Sequence, residues 1–456
     1  MTDEAADGVL FLPAAAGLRG TLRIPGDKSV SHRAVLLGAV NDGPVTVRGF
    51  LRSADTKATV DAVRALGVEV KEHIDELVIC GRGWEGLVEP DDVIHVGNSG
   101  TLIRLLPGLV ASCPFMCILT GDASIRSRPM ARIIEPLSAM GASVVGRRSG
   151  TLPPLAIRGA TLRGMTHHMA VASAQVKSCL LLAGLRAAGE TSVVEPAPSR
   201  DHTERLLRYA GARVERQGPA DGPGRVSGWP VDKLHMDALS VPGDFSSAAF
   251  FLVAALLIGD SEVIVENAGL NPSRTGLLAV LRRMGADLQS EPTGSQGPEP
   301  EGRITARTSA LVATDVGRSE VPSLIDELPL FLLAAARAEG TSQLSGAAEL
   351  RAKESDRLRG MSAILRALGI QVSERPDGMA VIGNPAGWRA GAINAYADHR
   401  LAMVGAIAGA ASLEGVLVDD ADCISVSYPG FAQALASLGA PSTRHPNEGT
   451  GLRVGS

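Results

Sequence analysis

Apolar and polar positions follow one pattern that recurs along the chain. In this pattern, apolar residues at helical spacing end in Gly or another small residue, and a residue typical of strands follows. A glycine directly after such a stretch is typical of the left-handed residue that ends a helix. The pattern therefore predicts amphipathic helices, each followed by a strand, at residues 60–70, 134–144, 203–214, 277–288, 361–372 and, less clearly, 431–442.

A second kind of helix is predicted ahead of these, with apolar residues on nearly every side. A helix that lacks a polar face is expected to be buried. Examples are found at residues 34–40, 179–188, 248–259, 328–338 and 400–411. Each unit is then a buried helix, a strand, an amphipathic helix and a strand, with further short strands and a period of roughly 70–80 residues.

Six such units in 456 residues predict an α/β fold with two domains of three units each. We expect an N-terminal lobe over residues 21–240. Residues 1–20 would join 241–445 in a C-terminal lobe, and 446–456 would form a flexible tail.

Two local patterns predict features outside this repeat. Residues 216–230 and 290–302 are rich in Pro, Gly and polar residues, which predicts surface loops. Asp201 and Glu204 have the spacing of a capping box at the start of the helix predicted at 203–214.

Composition and charge narrow the possible functions. The net charge of −5 argues against nucleic acid as the main partner, and no apolar run is long enough to cross a membrane. The first ten residues carry acids where a secretory signal would carry basic residues. The cysteines are odd in number, without a CxxC pair, and no cluster has metal-ligand spacing. We expect a cytoplasmic protein with reduced thiols and no bound metal.

The loops that open the buried helices are small or charged, and they differ from one another. They are GDKSVSHR, GNSGTLIR, ASAQVKS, PGDFSS, IDELP and ADHR. A helix N-terminus carries partial positive charge, so three such starts on one face of each lobe would create a cleft that binds anions. The alternative is a repeat scaffold that has no catalytic role.

Several of these loops carry side chains that suit a phosphate or a carboxylate. They include Lys28, Ser29 and Arg33 at the first helix start, and Gly100, Thr101, Arg104 and Arg128 around the second. The third unit contributes Ser173, Ala174, Gln175 and Arg200, and the last contributes Arg400. The alternative for each cluster is an ordinary capped helix end in contact with solvent.

Two carboxylates are candidates for proton transfer. Asp326 precedes a buried helix, where it could cap the helix or act as a base. Glu354 lies between Lys353 and Arg357 on nearly one helix face. It could be a tuned acid, or part of a salt-bridged surface helix.

The motifs GDKSVSHR, GNSGT, RPM, SAQ, SRDHTE, KESDR and ADHR, in this order, resemble the enolpyruvyl transferases. The closest likeness is to the 5-enolpyruvylshikimate-3-phosphate synthase branch, over residues 15–440. The resemblance implies two domains, each with three βαβαββ units around a pseudo-threefold axis, and substrates bound between them. It also implies transfer of the enolpyruvyl group of phosphoenolpyruvate to the 5-hydroxyl of shikimate 3-phosphate by a monomer, with release of phosphate and without a cofactor.

The resemblance also implies roles for the matching residues. Asp326 would be the base and Glu354 the acid, with Lys28 assisting. The shikimate 3-phosphate site would be formed by Lys28, Ser29, Arg33, Ser173, Ala174, Gln175, Arg200, Asp326 and Lys353. The phosphoenolpyruvate site would be formed by Lys28, Gly100, Thr101, Arg128, Gln175, Arg357 and Arg400.

Some positions depart from the better-known members of this branch. Ala174 replaces the second of two serines, Glu349 replaces an asparagine, and either Val426 or Ser427 stands where those members have a lysine. These differences are similar to the bacterial subgroup that contains glyphosate-tolerant enzymes, although Gly100 lacks the methyl group that accompanies tolerance there. We therefore expect inhibition by glyphosate.

The alternative within the fold family is the enolpyruvyl transferase that acts on UDP-N-acetylglucosamine. Its reactive cysteine aligns with Ala123 of this chain, which argues against that alternative.

Overall fold

The fold is described from a computed structural model, for residues 8–219, 222–294 and 297–445. The helices are α1 (Lys28–Ala39), α2 (Ala54–Ala65), α3 (Leu102–Val110), α4 (Ala131–Met140), α5 (Arg147–Gly150), α6 (Ala174–Gly184), α7 (His202–Tyr209), α8 (Phe245–Leu257), α9 (Gly276–Arg283), α10 (Val321–Leu324), α11 (Leu328–Arg337), α12 (Arg357–Ala367), α13 (His399–Ala410) and α14 (Phe431–Ser437). Within the described ranges, none of them is both long and apolar enough to cross a membrane.

The strands are short and distributed along the whole described chain. They are β1 (Val9–Leu12), β2 (Arg19–Leu22), β3 (Asp42–Arg48), β4 (Glu69–Glu72), β5 (Glu76–Arg82), β6 (Ile94–His95), β7 (Met116–Thr120), β8 (Ser143–Gly146), β9 (Leu152–Arg158), β10 (Leu162–Arg163), β11 (Thr166–His168), β12 (Ala187–Ala188), β13 (Thr191–Glu195), β14 (Val214–Gln217), β15 (Gly224–Gly228), β16 (Ala238–Ser240), β17 (Glu262–Gly269), β18 (Asp287–Pro292), β19 (Glu301–Arg307), β20 (Thr341–Leu344), β21 (Gln371–Arg375), β22 (Gly378–Ile382), β23 (Gly391–Asn394), β24 (Val416–Asp419) and β25 (Thr443–His445).

The predicted repeat is confirmed helix by helix. The amphipathic helices are α2, α4, α7, α9, α12 and α14, and a strand follows each of them. The residue expected to end each helix has a positive φ, at Gly67, Gly141, Gly211, Gly285, Gly369 and Gly439. The buried helices α1, α3, α6, α8, α11 and α13 alternate with them.

Each unit has its own small sheet of three or four strands. The orders are β16-β3-β5-β4, β6-β7-β9-β8, β11-β13-β15-β14, β18-β19-β17-β2, β20-β22-β21 and β23-β24-β1-β25. The buried helix of each unit lies inside, and the strand after the amphipathic helix pairs antiparallel with its neighbour.

The buried apolar side chains form two separate cores, and these define two lobes. The first lobe has a core from residues 30–241, and the second from residues 10–24 together with 245–440. Strands β1 and β2 belong to the second lobe, since β2 pairs with β17 and β1 pairs with β24. The last strand of the first lobe, β16, returns to the sheet of the first unit, where it pairs in parallel with β3.

Two crossing segments join the lobes and pair with each other. Gly26 and Gly243 form an antiparallel bridge. The amide of Asp27 donates to the carbonyl of Pro242 at 2.8 Å, and the amide of Asp244 donates to that of Pro25 at 2.9 Å. These hydrogen bonds place the starts of α1 and α8 side by side.

Three local predictions were wrong or only partly right. The stretch 216–230 contains strand β15, and Val226 within it is fully buried. The stretch 290–302 contains Glu299, which is also buried. Asp201 and Glu204 do not form a capping box. The carboxylate of Asp201 accepts hydrogen bonds from Arg205, Asn271 and Ser273, and that of Glu204 pairs with Lys177. The tail predicted at 446–456 lies outside the described residues.

The packing of α3 against α6 gives a test of the first core. A Cβ on Gly108 would lie 2.1 Å from the carbonyl oxygen of Cys179, a backbone atom that has no rotamer with which to move away. We expect Gly108→Ala to lower the free energy of unfolding by about 1–3 kcal/mol, since extra volume strains a packed core. Urea denaturation of the whole protein measures this change.

The matched control is Gly259→Ala, because a Cβ there meets no atom within 4 Å. We expect that control to change the free energy of unfolding by no more than about 0.5 kcal/mol. Equal stability of the two variants would contradict the close approach of α3 and α6.

Candidate active site

Side-chain caps fix several of the buried helix starts. Asp27 accepts a hydrogen bond from the amide of Val30 at 2.8 Å, and Asp244 accepts one from the amide of Ser246 at 2.8 Å. Asp398 accepts one from the amide of Arg400 at 2.9 Å. Such caps set the direction of the first turn, and so of the side chains that it carries.

The helix starts of the first lobe contact one another through polar side chains. Nη1 of Arg104 donates to Oε1 of Gln175 at 2.9 Å, and Nε2 of Gln175 donates to Oγ1 of Thr101 at 3.2 Å. These bonds join the start of α3 to that of α6. Burial lowers the pKa of Arg104 to about 10, which leaves it cationic at neutral pH.

Arg33 is buried and joins α1 to the third unit. Its Nε donates to Oγ1 of Thr203 at 2.7 Å, and Nη2 donates to Oγ of Ser178 at 2.8 Å. Nη1 donates to the carbonyl of Ser29 at 2.9 Å. Because arginine has five N–H groups, two remain for a ligand.

A buried ion-pair cluster supports the segment that carries Arg200. Nζ of Lys177 lies 3.0 Å from Oε2 of Glu195 and 2.6 Å from Oε1 of Glu204, and it donates to the carbonyl of Ser199 at 3.2 Å. Burial opposes the charge of Lys177, but Glu204 and Glu195 outweigh it and raise its pKa. Glu204 is therefore used for this ion pair and not for a cap.

Asp326 of the second lobe lies within a group of cations from several elements. Nη2 of Arg200, in the first lobe, donates to its Oδ2 at 2.5 Å. The carboxylate also lies within ion-pair distance of further nitrogens, at 3.6 Å for Arg274, 3.6 Å for Arg357, 3.8 Å for Lys353 and 3.9 Å for Arg400.

These cations decide the charge of Asp326. Burial alone would raise its pKa, but Arg200, Arg400 and the other cations outweigh burial and hold that pKa well below its ordinary value. The pKa of Lys353 is lowered, chiefly by burial. Asp326 is thus ionised, beside a lysine whose proton is easier to remove than usual.

Glu354 is the second carboxylate of the cleft, and Arg357 holds it. Nη2 of Arg357 donates to Oε2 of Glu354 at 2.6 Å, while Nη2 of Arg128 lies 3.9 Å from Oε1 of Glu354 across the cleft. Burial would raise the pKa of Glu354, but Arg357 and the other nearby cations hold it well below the ordinary value. Asp398, fully buried, binds Nε of Arg357 at 2.8 Å from the other side.

Lys28 completes this arrangement at the start of α1. Its Nζ donates to Oδ2 of Asp55 at 3.0 Å. A small cavity between α1, α8 and α13 is lined in part by Lys28, Ser246, Arg400 and Ser427. Burial lowers the pKa of His399 to about 3, so its ring is uncharged at neutral pH.

The structure brings together most of the residues predicted from the sequence. Around Asp326 and Glu354 it gathers Arg128, Arg200, Lys353, Arg357 and Arg400. Gly100 is adjacent, because a Cβ there would lie 2.7 Å from Nη1 of Arg128. Ser29 and Ser173 lie at neighbouring helix starts, and the described contacts of each are within its own helix.

Sequence reasoning missed two charged residues of this region, Asp55 and Arg274. They stand at the starts of the amphipathic helices α2 and α9, whereas the rule that selected Lys28 considered only the starts of buried helices. Glu349 contacts Arg132 across the cleft, with Oε1 3.3 Å from Nη1. Among the described residues, no group of three His, Cys, Asp or Glu side chains is placed to hold a metal ion.

Comparison with known proteins agrees with this geometry. A family profile described as EPSP synthase (3-phosphoshikimate 1-carboxyvinyltransferase) matches residues 13–435. A 3-phosphoshikimate 1-carboxyvinyltransferase of Bacillus thuringiensis (strain Al Hakam) is 45% identical over 429 residues, which are 94% of this chain and 99% of the relative. One from Magnetococcus marinus is 47% identical over 428 residues, which are 93% of this chain and 95% of that protein.

Solved structures give the same result. An EPSP synthase from Acinetobacter baumannii superposes with a TM-score of 0.86 at 39% identity, covering 96% of this chain and 100% of the other. The enolpyruvyl transferase NikO from Streptomyces tendae, at 20% identity, shares the fold with a TM-score of 0.79 over 96% of this chain and 99% of its own. The chain therefore has the two-domain enolpyruvyl transferase fold and belongs to the EPSP synthase (3-phosphoshikimate 1-carboxyvinyltransferase) family.

Proposed function

We propose that this protein transfers the enolpyruvyl group of phosphoenolpyruvate to the 5-hydroxyl of shikimate 3-phosphate and releases phosphate. The observation that carries this proposal is the group of cations from both lobes around Asp326 and Glu354. Both substrates are anions with phosphate and carboxylate groups, and arginine forks bind such groups in pairs of hydrogen bonds.

Each proposed binding site takes residues from both lobes. Gly100, Thr101, Arg128, Gln175, Arg357 and Arg400 bind phosphoenolpyruvate, with Lys28 shared between the substrates. Ser29, Arg33, Ser173, Ala174, Gln175, Arg200 and Lys353 bind shikimate 3-phosphate. The contact between Arg200 and Asp326 supports this assignment, because it places the arginine proposed to bind the phosphate of shikimate 3-phosphate beside the proposed base.

In the proposed chemistry, Glu354 delivers a proton to the methylene carbon of phosphoenolpyruvate, with Lys28 assisting. The neighbouring carbon becomes positive in character, and the 5-hydroxyl attacks it as Asp326 accepts the hydroxyl proton. The tetrahedral adduct then loses phosphate, and the ionised Glu354 takes back a proton from the new methyl group, which restores the double bond. The protein contributes alignment, proton transfer and charge stabilisation.

The low pKa of Glu354 fits the acid role once phosphoenolpyruvate is bound. Arg357 and Arg128 favour its ionised form in the absence of substrate. The phosphate and carboxylate of the substrate would neutralise these arginines, so the pKa of Glu354 would rise in the complex. Glu354 would thus take up a proton when phosphoenolpyruvate binds.

The cysteines argue against the alternative reaction on UDP-N-acetylglucosamine. Burial raises the pKa of all five thiols, to about 11 for Cys113 and about 12 for Cys117. Reactive cysteines have lowered pKa values and are partly exposed. We also propose that the protein acts as a monomer, since one chain supplies every group of the site.

The direct test of this function is release of inorganic phosphate from phosphoenolpyruvate. We expect release only when shikimate 3-phosphate is also present. Asp326→Ala and Glu354→Gln should each lower kcat by about 10²–10⁴-fold, because each removes a proton-transfer group. Binding of both substrates, measured by calorimetry, should be retained.

The control is Glu262→Gln, which changes a carboxylate that pairs with Arg307 on the surface of the second lobe. It should turn over at the rate of the unaltered protein. Near-normal kcat in the Asp326 and Glu354 variants would refute their roles in proton transfer, whereas no phosphate release by the unaltered protein would favour a repeat scaffold that binds anions without catalysis.

Gly100 gives a second prediction about the same site. A Cβ there would lie 2.7 Å from Nη1 of Arg128 and 3.1 Å from Nη1 of Arg104, so both guanidinium tips must shift. We expect Gly100→Ala to weaken inhibition by glyphosate by about tenfold or more, equivalent to ~1.4 kcal/mol. Inhibition curves at fixed phosphoenolpyruvate measure this effect, with Gly259→Ala as the control. Unchanged inhibition would refute the place of Gly100 in the pocket.

A further inference from the structure

Arg274 is a buried cation to which the proposed reaction gives no role. It lies between β17 and α9, and only 4% of its side chain is exposed. Nη2 donates to Oγ of Ser246 at 2.7 Å and to Oδ1 of Asp244 at 3.2 Å. These bonds attach Arg274 to the first turn of α8.

Four carboxylates surround this one guanidinium. Besides Asp244, they are Oδ2 of Asp27 at 3.9 Å, Oδ2 of Asp326 at 3.6 Å and Oε1 of Glu327 at 3.8 Å. They come from both crossing segments and from the start of α11. Arg274 therefore lies where the two connections between the lobes meet the proposed base.

The charged groups around Arg274 are not explained by a contribution to stability. Nε and Nη1 of Arg274 are buried and make no hydrogen bond with a described residue, and the same is true of Oε2 of Glu327. Buried charges with incomplete hydrogen bonding cost stability, and apolar packing often serves as well. A functional constraint on the charge explains why such a group stands here.

The other cations around Asp326 have a different position. Under the proposed function, Arg200 binds the phosphate of shikimate 3-phosphate, while Arg357 and Arg400 bind phosphoenolpyruvate. Each would then share its charge with a substrate anion and hold Asp326 less strongly. Arg274 is bound to Asp244 and Ser246 and buried behind the carboxylate, so it would remain.

We propose that Arg274 is a positioning residue, which holds the carboxylate of Asp326 in place as a proton acceptor while the substrates occupy the other arginines. This inference rests on the proposed function of the site. It adds a residue that touches neither substrate and acts through Asp326. It also couples the base to the two crossing segments, because the same guanidinium reaches Asp27 and Asp244.

The sign of the pH effect follows from the charges that face Asp326. Arg200, Arg274, Lys353, Arg357 and Arg400 favour its ionised form, and burial opposes it. A negative charge on Glu327, the next residue in the chain, also opposes it, because like charges repel. The base must be ionised to accept a proton. Loss of the Arg274 charge therefore raises the pKa of Asp326 and moves the acid limb of the kcat profile to higher pH.

The test is kcat against pH with both substrates at saturation, followed by phosphate release. We expect Arg274→Gln to move the acid limb upward by about one pH unit or more, with KM for each substrate changed only a few-fold (about 2–3). Arg274→Lys keeps the charge and should return the limb close to its original position. Arg307→Gln, the same change at a surface ion pair, should leave the profile unaltered.

Glu327→Gln provides a variant of opposite sign. It removes a negative charge that lies 3.8 Å from Arg274 and should move the acid limb to lower pH. An unfolding defect lowers the yield or the melting temperature of both variants, but it does not shift their limbs in opposite directions. If Arg274→Gln fails to fold, the Glu327→Gln profile decides the matter, and an unchanged or raised limb overturns the inference.

Failure of the inference differs from failure of the proposed function. If the unaltered protein releases no phosphate from the two substrates at any pH, the function itself is wrong. If it releases phosphate and the limb of Arg274→Gln stays in place, the function stands and the role of Arg274 is refuted.

Discussion

The attraction between one buried carboxylate and the cations around it underlies the organisation of this cleft. In the described part of the chain, five cationic side chains lie between 2.5 and 3.9 Å from Asp326. Positive side chains at helix starts are unfavourable, since they add to the positive end of each helix dipole. Acids must therefore accompany them, and Asp326, Glu354, Asp398 and Asp55 do so.

The same balance explains how a protein of net charge −5 can form a site for anions. The cations are gathered locally at helix starts. Acids pair with them across the cleft, as Asp326 of the second lobe does with Arg200 of the first. Anionic substrates would compete with those acids for the arginines. When a substrate anion replaces a carboxylate as the partner of an arginine, the pKa of that carboxylate would rise. Substrate binding and the change in pKa are thus linked.

The sequence predicted what depends on local pattern. Helical spacing and a terminal glycine give the amphipathic helices, and charged residues at helix starts give most of the candidate site. It missed what depends on contacts far apart in the chain. Glu204 was assigned to a cap, because the partner that decides its role, Lys177, is remote in sequence. Strand β15 and buried Glu299 were hidden in stretches rich in Pro and Gly. Glu299 binds His202 of the first lobe, a contact that no local pattern contains.

The environments of the two catalytic candidates differ in a way that separates acid from base. Glu354 is held by Arg357 and Arg128, the arginines proposed to bind phosphoenolpyruvate, and its side chain is 31% exposed. Its ionised form therefore loses support when that substrate binds. Asp326 keeps Lys353 and the buried Arg274, so its ionised form retains support from behind. Asp398 holds Arg357 from the buried side in either state. Substrate binding would therefore raise the pKa of Glu354 more than that of Asp326, although both carboxylates have arginine partners in the structure. An acid and a base in one site require such a difference in pKa.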